Sequence, residues 1–565
     1  MKYNLIGDND YLFNPIETIL KNRGIEDIER FLNLDESVTN HWNRLKNIDK
    51  ATSCLVKHIE KNSKIFIQVD GDCDGYTSSA ILINYLRRVF PNINIQWRLH
   101  DGKEHGVIIN TVPEDVNLVI VPDAGSNQLK EHQELREKGI DIIVLDHHEC
   151  DKESEYAIIV NNQLSPDFPN KNLSGAGICY KFIQALDETL NVNFADDYLD
   201  LVAVGNIGDM MDLRELETRY YVKKGLKNIK NSFLKKLILQ QEYSMKNTVN
   251  INTVAFYIVP LINEAVRAAT FDEKHNVMKS FLESDEQVYY KRKNIYESIQ
   301  TATARQLVNI KNRQNRLRDK SVELIEEKIK EQNLLENKIL VIDVTTLLEK
   351  TLTGLVANQI SQKYKRPVLL IRRKGNSNIY GGSARGYEKG AIKDLKQFLL
   401  STGKFIFCEG HANAHGVEIE VEKIPSLIAI INERLKDYDI EQDIYDVDFV
   451  ISDKEFNSDI IYTIEEFKDE WGSTVNEPKL VLTDISINKN DVHLIGKNKN
   501  TLKIKYNDIE ILKFSFDEEK YTEMFNEGET FIINVLGKCG VNEWEGNKIP
   551  QIIADDIEVT DVLYF

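Results

Sequence analysis

The chain has 565 residues, room for three or four domains at about 150 residues each, which excludes a single small binding module. With 42% hydrophobic and 28% charged residues the composition is that of a globular protein, and the disordered and fibrous classes are excluded. Its 71 Lys/Arg against 90 Asp/Glu give a net charge of −19, a balance that argues against a nucleic-acid partner unless cations are locally in surplus.

No run of about 18 apolar residues is present, and Asp8 and Asp10 fall where a signal peptide needs an apolar stretch. A cytoplasmic protein with no membrane contact is expected. The six cysteines (Cys54, Cys73, Cys150, Cys179, Cys408, Cys539) are scattered without a C-x-x-C pair, so reduced and mostly buried thiols are expected. Charge is unevenly spread. Residues 441–565 hold 28 Asp/Glu and 12 Lys/Arg, a net of −16, which leaves residues 1–440 near neutral at −3. Residues 291–320 hold nine Lys/Arg and two acids, a net of +7, so a basic face exists despite the total.

In chain order, residues 1–62 read as helices leading into a first strand. From 64 to about 210, strand-length apolar runs alternate with helical patterns. They are IFIQV at 65–69, a helix from Thr77 to about Phe90, INIQW at 93–97, LVIV at 118–121, a helix over 127–138, DIIVL at 141–145 and AIIV at 157–160. Such β-branched runs predict βαβ units and a parallel sheet buried on both faces, with a site beyond the carboxyl ends of the strands. From about 275 to 332 there is no Pro or Gly, and the spacing predicts a long exposed helix or helix pair. A second α/β segment follows, with ILVIDV at 339–344, VLLIRR at 368–373, Gly381 to Gly386 and FIFCEGHANAHG at 405–416. Short strands separated by turns then predict an all-β barrel or sandwich to the C-terminus.

The chemistry lies at the strand ends. After IFIQV come Asp70, Asp72 and Asp74 at alternate positions, which in a continuing strand would share one face and at a strand end can converge on a cation; after LVIV comes Asp123; after DIIVL come Asp146, His147 and His148; and Asp209 follows another apolar run. Carboxylates collected at one sheet edge repel one another unless cations offset them, and mixed Asp/His ligation suits Mn²⁺ or Mg²⁺ better than structural Zn²⁺. Two such ions clamp the attacking and leaving oxygens of a phosphoryl displacement, which requires a phosphate-bearing substrate.

At these residues the sequence resembles the DHH phosphoesterase superfamily, specifically its RecJ-type single-strand-specific exonucleases, over nearly the whole chain. The resemblance implies a parallel-sheet DHH domain and a DHH-associated α/β domain joined by a long helix, plus a C-terminal all-β OB-fold. The boundaries it suggests are a helical leader over 1–62, the DHH catalytic domain over 63–230, a helical connector over 231–335, the DHH-associated substrate-binding domain over 336–435 and the OB-fold over 436–565. It implies metal ligation by Asp70, Asp72, Asp74, Asp123, His147 and Asp209, with Asp123 bridging. Asp72, Asp74, Asp123, His147, His148 and Asp209 would be catalytic, and Asp146 would orient them. LSGAGICYKF at 173–182 resembles the family's Gly-Ala-Gly helix entry. PLINEAVR at 260–267 resembles a further family motif and carries over Asn263 and Arg267 as substrate contacts, with Arg313 in the basic helix; for these a plain surface-charge role is the alternative. Gly382 to Arg385 and Gly410 to Gly416 resemble the substrate-binding motifs of the DHH-associated domain, which implies that Ser383, Arg385, Gly410 and His411 grip the strand end from across a cleft. Glu409 and His415 depart from that pattern. Trp544 of the barrel either stacks on a base or fills the core, and Lys497, Lys499, Lys503 and Lys505 form a local basic strip. Cys73 and Cys150 are not expected to be ligands, and His41, His58, His100, His275 and His493 read as structural or surface histidines.

The resemblance thus implies a monomeric exonuclease that cuts single-stranded DNA 5′ to 3′ with two Mn²⁺ or Mg²⁺ ions in DNA repair or recombination, alongside a single-strand-binding protein or helicase. Two rivals stay open: a short-oligonucleotide or cyclic-dinucleotide phosphodiesterase of the same superfamily, and a catalytically inactive replication scaffold. The leader and barrel favour a longer polymer, and the retained acids disfavour a dead site.

Overall fold

The computed structural model of the protein describes residues 1–565 except 102, 103, 151, 441, 545 and 565; the Trp544 side chain also lies outside the described set. The chain forms two compact units. Unit 1 comprises Met1–Asn22, Arg313–Phe467 and Pro478–Phe565, and unit 2 comprises Arg23–Asn312 and Lys468–Glu477. The opening strand Lys2–Leu5 (β1) belongs to unit 1.

Unit 2 is built on five parallel strands, Ile65–Val69 (β2), Ile95–Leu99 (β3), Leu118–Pro122 (β4), Asp141–Asp146 (β5) and Ile158–Asn161 (β6), in the order β3-β2-β4-β5-β6. Strands β2 and β4 are buried along their whole length, which explains their unbroken apolar sequences. The helices Cys73–Val89, Gly175–Leu190 and Leu199–Gly208 pack together beside the sheet in one apolar core. From β2 the order runs one way to β3 and the other way to β4. Asp70 and Asp123 therefore sit at the point where the winding reverses, the place where sheets of this kind bind ligands.

One sequence expectation needs correction here, and two local conformations that the sequence left open are resolved. The Asp70–Asp74 stretch does not continue the strand, because Asp72 caps the Cys73–Val89 helix and Asp74 lies in its first turn. The apolar run before Asp209 is a helix, Leu199–Gly208, buried all round. The stretch 275–332 is not continuous helix either. Phe271–Phe281 is followed by an antiparallel hairpin of Gln287–Tyr290 (β7) and Ile295–Ser298 (β8), and only then by the 33-residue helix Ile299–Glu331. Alternating aromatic and β-branched residues on both sides of Lys291–Asn294, with Asn294 at φ +54°, favour the hairpin.

Among its described residues unit 1 holds three sheets. Strands Leu340–Asp343 (β9), Val368–Arg373 (β10), Ile379–Arg385 (β11), Phe405–His411 (β12) and Ala414–Glu420 (β13) form a mixed sheet ordered β12-β13-β11-β10-β9. Ile444–Val447 (β14) pairs in parallel with β1, so the leader opens as a strand and not a helix. Phe449–Ser452 (β15), Lys479–Asn488 (β16), Val492–Ile495 (β17), Thr501–Tyr506 (β18), Ile509–Phe514 (β19), Thr530–Trp544 (β20) and Asn547–Leu563 (β21) form a seven-stranded sheet, accompanied by the helices Asp459–Glu466 and Glu518–Phe525. No helix among the described residues is long and apolar enough to cross a membrane.

Candidate metal centre

Each acid of unit 2 is placed by the end of an element. Asp70 follows β2, and Asp72 caps the next helix by accepting the Gly75 N–H at 2.9 Å. A Cβ on Gly75 would come within 2.7 Å of the Asp70 backbone, so this tight turn requires glycine. Asp74 is buried against a second helix: Ser174 Oγ–H and the Ala176 N–H donate to Oδ1 at 2.9 and 3.1 Å, and the Gly175 N–H donates to Oδ2 at 2.6 Å. The amino end of a 16-residue helix thus faces a carboxylate. Asp123 follows β4 in the left-handed region at φ +65°, and Asp209 ends the Leu199–Gly208 helix.

These elements converge on His147, which follows β5. Its Nε2 lies 3.2 Å from Asp123 Oδ1, 3.3 Å from Asp209 Oδ2 and 3.9 Å from Asp74 Oδ2. Asp70, Asp72 and Asp123 form an adjoining group, so Asp123 stands between two clusters of oxygen and nitrogen donors. Asp146 accepts the N–H groups of Ser126, His147 and His148 and the ring Nδ1–H of His148.

The electrostatics separate these groups. Burial and the neighbouring Asp74 and Asp72 hold the Asp123 carboxyl well above the ordinary range. Asp209 is pushed up to about 7 by burial and by Asp74 and Asp72. Asp72 is raised to about 6 by dehydration of its carboxyl and by the neighbouring Asp70 and Asp74. Two carboxyls go the other way. Burial opposes it, but hydrogen bonds from His100 and His105 hold Asp70 below the usual carboxylate range, and His148 does the same for Asp146. In return the Asp146 hydrogen bond raises His148 to about 9, whereas burial lowers His147 and keeps its imidazole neutral.

This donor set fits divalent cations. Asp123 Oδ1 is buried without a hydrogen-bond partner among the described residues, the clustered acids are held at a cost that cations would offset, and hard oxygens with one neutral imidazole suit Mn²⁺ or Mg²⁺. Asp74, Asp123, His147 and Asp209 would hold one ion, and Asp70, Asp72 and Asp123 a second.

Two histidines outside the expected ligand set join this site: His100, which the sequence marks only as structural or surface, and His105, which it does not single out. His100 Nδ1 lies 2.8 Å from Asp70 Oδ1, and His105 Nδ1 lies 3.0 Å from both Asp70 oxygens, so His100 is the structural histidine expected and its partner is an acid of the site. The signal was present, since His100 follows β3 at the same sheet edge as the acids. Asn263 accepts the Cys73 N–H at 3.0 Å and so secures the start of the Cys73–Val89 helix. Arg267 is exposed one turn further along the Val259–Ala268 helix, and Arg313 is exposed on the Ile299–Glu331 helix.

Unit 1 gathers its own residues. Ser383 and Arg385 lie two apart on β11, and Arg385 and His411 are both paired opposite Ala414 of β13. Gly410 needs its glycine at φ +128°. A Cβ on Gly354 would come within 2.5 Å of Arg385 Nη2, so the start of the Thr353–Tyr364 helix also borders this group, another feature absent from the sequence reading. The proposed role of Trp544 falls on a side chain outside the described residues.

Comparison with known proteins agrees with this architecture. Residues 64–206 match the DHH family, N-terminal domain, and residues 447–556 match the RecJ OB domain. The YorK protein of the SPbeta prophage of Bacillus subtilis strain 168, named for single-strand DNA-specific exonuclease activity, is 48% identical over 99% of this chain and 98% of its own length. The single-stranded-DNA-specific exonuclease RecJ of Bacillus subtilis is 24% identical over 97% of this chain and 68% of its own. The fold matches a RecJ structure from Thermus thermophilus, solved with Mn²⁺, at TM-score 0.73 and 20% identity, over 100% of this chain and 80% of that one. With its DHH domain, its OB domain and a relative nearly half identical over its full length, the chain belongs to the RecJ family of DHH-type single-strand-DNA-specific exonucleases.

Proposed function

We propose that the protein hydrolyses single-stranded DNA from its 5′ end and releases mononucleotides, using two Mn²⁺ or Mg²⁺ ions held by Asp70, Asp72, Asp74, Asp123, His147 and Asp209. The observation that carries this reading is the position of Asp123, a buried carboxylate whose Oδ1 accepts no hydrogen bond among the described residues and which is shared by two donor clusters. When bound, the ions would activate water and offset the charge that builds up on the attacked phosphate. The chain's own groups do the rest. His148 Nδ1 is engaged by Asp146, which leaves a protonated Nε2 to donate to a phosphate oxygen. Neutral His147 keeps a lone pair for ligation, and the Gly175–Leu190 helix fixes Asp74 by three hydrogen bonds. Ser383, Arg385, His411 and the Gly410 amide would bind the strand's phosphates, with Arg267, Arg313 and Trp544 as further contacts. Asn263 would act by holding the helix that carries Asp74. Such an activity belongs where single-stranded ends arise, in DNA repair or recombination.

The test incubates 5′- and 3′-labelled single strands, duplexes and dinucleotides with Mn²⁺, for the parent protein and for Asp123→Ala and His147→Ala. Mononucleotide release from single strands, beginning at the 5′ end and lost in both variants, is expected. Cleavage confined to dinucleotides would reassign the protein to the short-substrate phosphodiesterases, and no cleavage of any substrate would leave a scaffold.

A further inference from the structure

The β7–β8 hairpin in unit 2 has no part in the metal centre, yet its side chains are arranged unevenly. An isolated two-stranded hairpin is marginal in water and needs packing on one face. That face is supplied: the Arg305 guanidinium lies 3.8 Å from the Tyr290 ring centroid, Arg305 pairs with Glu297 with Nη1–Oε2 at 2.8 Å, and the Ile299 N–H donates to Glu286 O at 3.0 Å. The opposite face carries Tyr289 and Tyr296, directly paired across the strands with ring centroids 5.2 Å apart. They are 49% and 72% exposed. At the tip Lys291, Arg292 and Lys293 are all exposed, and none pairs with a carboxylate among the described residues.

Cross-strand tyrosines can stabilise a hairpin by themselves, but that role does not call for three consecutive cations beside them. The only acid within β7, β8 and their turn is Glu297, which Arg305 already occupies. Exposed rings bordered by unpaired cations, in a chain of net charge −19, complement a ligand that is flat and apolar in its bases and anionic in its backbone. Single-stranded DNA has this chemistry: bases stack on aromatic faces with little regard to sequence, while phosphates take up Lys and Arg. A protein partner would leave three adjacent cations to be matched by acids, and a duplex hides its base faces.

We propose that the β7–β8 hairpin is a second single-strand contact outside the metal centre, in which Tyr289 and Tyr296 stack on bases and Lys291, Arg292 and Lys293 hold the flanking phosphates. The proposal rests on the exonuclease reading and extends it to strands long enough to reach the hairpin.

Binding is measured in chelator, so that nothing is cut, by fluorescence anisotropy with labelled oligothymidines of about 4 and about 20 nucleotides. Tyr296→Leu keeps an apolar cross-strand contact but removes the ring, and is expected to weaken binding of the long strand by about tenfold while leaving the short one unchanged. Tyr296→Phe is expected to restore parent affinity. The K291A/R292A/K293A variant is expected to weaken the long strand as well, and to reduce the slope of log affinity against log salt by about 2. Melting temperature and Mn²⁺-dependent cleavage of the short strand serve as controls and should not change. Long-strand affinity unaltered in both Tyr296→Leu and the triple variant would overturn the proposal with the exonuclease reading intact. A parent protein that binds no single strand of either length would overturn both.

Discussion

Asp123 carries much of the strain in the site. Its carboxyl is buried among other acids and its backbone lies at φ +65°, a region that costs a side-chain-bearing residue about 1 kcal/mol. Asp123→Asn keeps the shape and removes the charge. Cleavage of single strands is expected to fall at least about a thousandfold, while the melting temperature in chelator rises by about 2–4 °C; a melt that fell instead would mean that the carboxylate is stabilised in the metal-free site. Asp209, raised to about 7, allows a test by pH. An unfolded Asp titrates near about 4, so the folded protein holds the extra proton between about pH 4 and 7. The stability this confers is complete below pH 4 and is lost as pH rises to 7. In chelator the melting temperature is therefore expected to fall across that window relative to Asp209→Asn, and saturating Mn²⁺ should abolish the difference. At this scale Asp70, Asp123 and Asp146 were legible because each closes an apolar run of strand length. His105 was not, because its link to Asp70 runs through space across 35 positions.

The same helix that holds Asp74 also limits what the site tolerates. A Cβ on Gly175 would lie 2.4 Å from Asp123 Oδ1, whereas one on Gly177 would meet only the flexible Leu173 side chain, at 2.9 Å. Gly175→Ala is expected to lower both Mn²⁺ affinity and cleavage by at least about a hundredfold, with Gly177→Ala much milder; titration with Mn²⁺ followed by single-strand kinetics checks both. Removing Asn263 acts more gently. Asn263→Ala frees the Cys73 N–H at a cost of about 1 kcal/mol, read as a lower melting temperature with DNA cleavage reduced but present. Elements with clean periodicity were legible, and IFIQV at 65–69 and VLLIRR at 368–373 became β2 and β10 without change. Leu199–Gly208 was ambiguous, since a run apolar on every side carries no period to separate helix from strand. The β7–β8 hairpin was hidden because it lacks the Gly or Pro that usually marks a turn, and Asn294 alone takes the left-handed position.

For the whole molecule, charge and connectivity point to different conclusions. The acidic C-terminal segment leaves little broad cationic surface, so single-strand binding is expected to depend on salt no more steeply than a log–log slope of about −3, measured between about 50 and 200 mM salt. A slope twice as steep would show a much larger phosphate footprint. The division into units could not be read from sequence, because each borrows a segment from afar. Strand β1 pairs with β14 some 440 residues later, and its four residues carry too little apolar pattern to announce a strand. Unit 2 depends likewise on Lys468–Glu477: Arg219, fully buried, finds its carboxylate in Glu470, and Trp471 is buried beside it. This interlacing sets a timetable for synthesis. At about 5–20 residues per second, β1 waits about 20–90 s for its partner to leave the ribosome, and Arg219 waits about 10–50 s for Glu470. Through that interval the nascent chain carries an unpaired strand and Arg219 without its counterion, and neither unit can close before residues 440–480 emerge.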